Sequence, residues 1–211
     1  MCFFATKSSM KIRMKRKLAV VLLICISCHI GWAAQDFVWK SGQNMKVVCD
    51  TTEAPVVKVA LDLLKRDCRS VLSGEISRSE NTGNIYVGTW GESSVLQALA
   101  DTRQLDVAQL DEHREAFLLN VLPDGRLVVA GSDKRGTAYG VLELSRMMGV
   151  SPWEWWADAV PEKKEEFCLP AGFRKLEYPQ VAYRGIFITR RSSDLFRAER
   201  TDRAENACTY F

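Results

Sequence analysis

Residues 115–149 leave this chain few choices. Two β-rich runs, 115–122 and 126–130, flank Pro123-Asp124-Gly125. Asp-Gly between two such runs marks a tight hairpin. Gly131-Ser132-Asp133 leaves the second run and caps a helix. Tyr139, Leu142, Met147 and Met148 supply its apolar positions, and Gly149 closes it. Two paired strands that run straight into an amphipathic helix call for a sheet with helices packed on it.

The upstream sequence agrees. Residues 36–39 read as a short strand and 45–49 as a second. Pro55 opens a helix at a favourable first-turn position. Val56, Val59, Ala60, Leu63, Leu64 and Val71 recur there at helical spacing, and the helix should end near Gly74. Residues 84–88 read as a buried strand and 95–105 as a helix. The order is strand, helix, strand, helix, hairpin, helix. The fold class expected is α/β, a mixed sheet packed by helices, in one domain over 34–160. Pro161, Pro170, Gly172, Pro179 and the charged run 162–166 make 161–180 read as a linker. Residues 181–188 then begin a new strand, the first of a second domain.

The first 33 residues read as an address. Lys11, Arg13, Lys15, Arg16 and Lys17 precede a 13-residue, mostly apolar run over 18–30. Gly31 and Ala33 are small residues at −3 and −1 of a cleavage before Ala34. This is the pattern of a secretory signal peptide, with an apolar run short for a membrane span. The expected location is periplasmic or extracellular, with no stable membrane span after cleavage. The alternatives are an uncleaved anchor and a lipid anchor at Cys28.

Charge and composition narrow the function. The chain has 211 residues, 47% hydrophobic and 26% charged, which excludes low-complexity disorder and a large multidomain enzyme. Its net charge is +3, but residues 1–35 hold six basic side chains and no acidic one. The rest carries 23 basic against 26 acidic side chains, so no nucleic-acid partner is expected. Of seven cysteines, Cys49, Cys68, Cys168 and Cys208 lie beyond the signal, with no CxxC spacing. The only histidine there is His113, in a charged run that reads as a solvated loop. No metal site and no cofactor follow from this set, and Cys49 and Cys68 read as buried free thiols.

Two stretches bear on binding. The helix start at Asp133, Lys134 and Arg135 offers backbone N–H groups and basic side chains to an anion such as a sugar carboxylate. The alternative is that Ser132 and Asp133 only cap the helix. Residues 151–158 place Trp153, Trp155 and Trp156 within four positions. Trp153 and Trp155 would stack on sugar rings, or the cluster packs between domains. Glu154 and Asp158 lack further support as an acid/base pair. No catalytic residue is assigned in this chain.

Residues 131–140, 151–158 and 183–188 together resemble three signatures of glycoside hydrolase family 115, the xylan α-1,2-glucuronidases. The resemblance covers about 36–188. It implies that an N-terminal α/β domain precedes a (β/α)8 barrel, of which 181–188 is the first strand. The barrel would carry the catalytic acid and base, and the partner of the intact parent would be glucuronoxylan or its oligosaccharides. Cleavage of glucuronic or 4-O-methyl-glucuronic acid side chains would proceed with inversion, through carboxylates spaced to admit a water. The resemblance stops at Thr189. Residues 189–211 hold five arginines and no lysine or glycine. They read as an anomalous tail, frameshifted or chimeric, against a genuine polar helix. The chain is therefore expected to be an inactive N-terminal fragment of a secreted hydrolase. The alternative is a standalone carbohydrate-binding or structural domain.

Overall fold

The computed structural model describes residues 34–80 and 82–185. The expected signal peptide, residues 186–188 of the expected barrel strand and the tail 189–211 lie outside them.

The elements are β1 (Phe37–Lys40), β2 (Asn44–Cys49), α1 (Pro55–Leu72), β3 (Glu75–Ser79), β4 (Ile85–Thr89) and α2 (Ser94–Asp101). A 3-10 turn (Ala108–Leu110) follows, then β5 (Phe117–Val121), β6 (Leu127–Gly131), α3 (Lys134–Met148), α4 (Glu154–Ala157), β7 (Glu166–Leu169) and β8 (Arg174–Glu177). Six strands form one sheet in the order β3-β2-β4-β6-β5-β8. The pairs β3–β2, β2–β4 and β4–β6 are parallel, while β5 runs antiparallel to both β6 and β8. The sheet is mixed, as expected.

Both faces are covered. Ile85, Val87, Leu127, Val129, Phe117 and Leu119 point to one core with α1 and α3. Tyr86, Val128, Ala130 and Leu118 point to a second core with α2 and the 3-10 turn. Side chains alternate across a strand, so a strand buried on both faces must be apolar at nearly every position. That is why β4, β5 and β6 read as nearly continuous apolar runs, broken only by Thr89 and the half-buried Asn120.

The hairpin forms where expected. Gly125 sits at φ +79°, and its N–H donates to the Leu122 carbonyl at 2.9 Å. Gly149 ends α3 at φ +106°. Pro55 opens α1, and Ser73 in a left-handed conformation closes it. The second expected helix is shorter than 95–105 and ends at Asp101.

Four expectations need correction. β3 was not anticipated: Glu-Ile-Ser-Arg-Ser holds one apolar residue, and its place at the sheet edge requires no more. The segment 161–180 is not a free linker. β7 pairs antiparallel with β1, and β8 pairs with β5. Phe167 and Leu169 are buried in the same core as Phe37 and Trp39. Tyr139 and Leu142 lie on the exposed side of α3, 37% and 39% exposed. The buried side uses Ala138, Val141, Leu144 and Met148 instead. Finally, residues 181–185 carry no strand and are exposed.

A network of charge fastens β8 to α3. Glu143 is buried, and its carboxylate accepts from Arg146 at 2.6 and 2.7 Å and from Lys175. Burial pushes the Glu143 carboxyl up, but these two cationic donors outweigh it and hold it below the usual range. Cys49 and Cys68 are buried free thiols, both pushed up to about 11 chiefly by burial. They are therefore poor nucleophiles at neutral pH.

Candidate functional site

Open α/β sheets bind ligands at the carboxyl ends of their strands, where the strand order reverses. Here the chain goes from β2 to β3 on one side, while β4 lies on the other side of β2. The crevice to inspect is therefore between the ends of β2 and β4.

That crevice is filled by the protein itself. Glu53, from the loop after β2, is 4% exposed. Its carboxylate accepts from the Thr89 N–H at 2.7 Å and from the Thr89 hydroxyl at 3.0 Å. The Thr89 hydroxyl lies 2.9 Å from that of Thr137 on α3. Asp50, at the end of β2, accepts from the Ser93 hydroxyl and the Ser94 N–H, both at 2.9 Å. Polar groups that close on one another leave no donor set for a ligand.

The helix start at α3 has the same character. Asp133 is its N-cap. Oδ1 accepts from the Arg135 and Gly136 N–H groups at 2.9 and 2.8 Å. Oδ2 accepts from the Glu115 N–H at 2.9 Å. The anion at this helix N-terminus is thus the Asp133 carboxylate, which is the capping alternative. Arg135 donates to Glu115 at 3.0 Å, and Arg184 pairs with the other oxygen of the same carboxylate. Lys134 is exposed.

Asp133→Ala removes a cap and leaves the Glu115 N–H unpaired. We expect about 2 kcal/mol of destabilisation. In a module of this size that is a melting shift of roughly 4–8 °C. An unchanged melting curve would show that the loop before β5 does not depend on the cap.

Trp153 is 63% exposed, ahead of α4. The Trp155 backbone lies in α4, and its side chain is outside the described set. Glu154 is tied to Arg66 of α1 at 3.0 Å, so it is not half of an acid/base pair. The two candidate stretches do not converge. Lys134 and Arg135 start α3 and Trp153 follows its far end, with about 22 Å of helix between the two ends at 1.5 Å per residue. His113 stacks on Tyr178, ring centroids 3.6 Å apart. Sequence reading missed that contact and the Glu53–Thr89–Thr137 network, because both join residues far apart in the chain.

Shallow depressions of about 420 and 310 Å³ lie on the surface. Tyr86, Gln104 and Arg126 line the first; His113, Ser132 and Asp133 line the second. Asp111 and Glu112 also border the second, but both are exposed to solvent. Among the described residues, no group of three or more His, Cys, Asp or Glu is placed to hold a metal. No helix among them is long and apolar enough to cross a membrane.

The chain matches a solved family GH115 4-O-methyl-alpha-glucuronidase with specificity for decorated arabinogalactans at 54% identity, with a TM-score of 0.68 over 72% of this chain. The chain carries a module of glycoside hydrolase family 115. The family 115 likeness spans 20% of that enzyme's own length. Weaker likenesses are to a GH20 exo-beta-N-acetylglucosaminidase from Vibrio harveyi and a beta-N-acetylhexosaminidase from Bacteroides fragilis. The first is 14% identical over 71% of this chain and 18% of that one, at TM-score 0.42. The second is 15% identical over 57% and 20%, at TM-score 0.30. No protein-family model and no curated protein matches.

Proposed function

We propose that this chain is the N-terminal, non-catalytic module of a secreted family 115 hydrolase, whose parent removes glucuronic or 4-O-methyl-glucuronic acid side chains from a polysaccharide. The observation that carries the reading is the 54% identity to a 4-O-methyl-alpha-glucuronidase, over one fifth of that enzyme's length. The closed polar network at the sheet's carboxyl edge supports a scaffold rather than a reaction centre. In this reading the linked barrel supplies the acid and base. Xylan is the polymer that the family resemblance implies. Decorated arabinogalactan is the polymer that the solved relative takes, so both belong in the assay.

The test has two arms. Purified 34–211 is expected to release no uronic acid from either polymer. A chimera that carries residues 34–185 in place of the matched fifth of the relative is expected to retain that relative's uronic acid release. A folded but inactive chimera would sink the proposal. Saturable quenching of the exposed Trp153 by xylan or arabinogalactan oligosaccharides would favour the carbohydrate-binding alternative instead.

A further inference from the structure

Helix α3 is almost submerged. Its exposed positions are Lys134, Arg135, Tyr139, Leu142 and Arg146. The last four stand at i, i+4, i+7 and i+11, which is one stripe along the helix. The middle of the stripe is apolar and both ends are arginine. A helix face left open to water is ordinarily polar throughout.

The chain leaves the module across this stripe. The Arg184 guanidinium lies 5.8 Å from the centre of the Tyr139 ring and pairs with Glu115, which also holds Arg135. Tyr183, beside it, is 97% exposed, and Val181 is 58% exposed. Seven large apolar side chains are exposed among the described residues. Five of them, Tyr139, Leu142, Tyr178, Val181 and Tyr183, lie on the stripe or on the departing segment. Grouped apolar exposure marks a contact surface more than scattered exposure does.

We infer that the Arg135–Tyr139–Leu142–Arg146 ridge, with the departing segment, is the surface on which the next domain of the parent protein docks. This rests on the family 115 reading above. The occupant follows from the exit path and from the relative, four fifths of whose chain lies outside the match. A domain that begins at Arg184 begins against Tyr139. Both ridge-end arginines are already paired within the module, Arg135 with Glu115 and Arg146 with Glu143, so the contact rests on the apolar centre between them.

Thiol labelling tests this. Leu142→Cys is placed in a background with Cys2, Cys25, Cys28, Cys168 and Cys208 changed to Ser, and Cys49 and Cys68 are kept because they are buried. Glu92→Cys, in the turn before α2, is the control. Labelling of Leu142→Cys by a maleimide is expected to be fast in the 211-residue chain and at least tenfold slower in the chimera. The control should label alike in both. Equal rates at Leu142→Cys would overturn the inference. So would slowing in the 211-residue chain as its concentration rises, which would make the occupant a second copy. Hydroxyl-radical footprinting of the unaltered relative gives the same reading without a chimera. Its peptides aligned with Tyr139 and Leu142 should be protected, and free oxidation there would overturn the inference. An active chimera with unprotected Leu142→Cys defeats the docking surface alone. A protected but inactive chimera defeats the proposed function alone.

Discussion

Gly131→Ala should destabilise the module by about 3 kcal/mol, a melting shift of roughly 6–12 °C. Gly131 is the last residue of β6, two positions before the cap of α3. A Cβ there would stand on the amide nitrogen and hydroxyl of Thr137 and 2.5 Å from its Cα. The nitrogen and Cα are backbone atoms of the first turn of α3, so no rotamer change relieves the overlap. The helix must lift from β6, and the Thr137–Thr89 hydroxyl contact opens with it. Gly91→Ala separates crowding from backbone preference. Gly91 sits at φ +83° with nothing within 4 Å of its missing Cβ, so its cost should be only about 1–2 kcal/mol. Thermal melts of both variants decide the matter. Gly131→Ala melting no lower than Gly91→Ala would mean that α3 is not held down on β6.

A chain ending at residue 160 should fail to fold, while one ending at 185 should fold cooperatively. The shorter chain ends where the sequence alone places the domain boundary. It lacks β7 and β8. Phe167 and Leu169 would be gone, and Phe37 and Trp39, now 1% and 0% exposed, would face water. Each fully buried apolar side chain contributes about 1.5–3 kcal/mol. Four of them approach the roughly 5–15 kcal/mol that holds a typical domain together. Loss of β8 also leaves one edge of β5 unpaired and frees Glu143 from Lys175. Near-UV circular dichroism and thermal melts of 34–160 and 34–185 are the measurements. A cooperative transition in 34–160 close to that of 34–185 would restore the linker reading of 161–180.

What was legible in the sequence was mostly local. Asp124-Gly125 announces its hairpin because a tight turn needs residues tolerant of positive φ. Pro55 and Asp133 announce helix starts because their chemistry fits one end of a helix only. The buried strands announce themselves because burial on two faces leaves few polar positions. The anion-site alternative at Asp133 turned on something the sequence does not hold. Whether the carboxylate keeps its own helix N–H groups or leaves them to a ligand depends on the Glu115 loop, 18 residues away.

By itself, the sequence determined the hairpin, the principal helices, the mixed α/β class and the likeness to family 115. These follow from spacing, turn chemistry and short motifs, all of which act over a few residues. The tertiary structure alone decided that β7 and β8 complete the two sheets, that Glu53 closes the crevice between β2 and β4, and that Tyr139 and Leu142 face outward. Each is a matter of which distant segment arrives beside a residue. An apolar side chain at helical spacing says that a helix has an apolar position, but only its neighbours decide which side of the helix is covered.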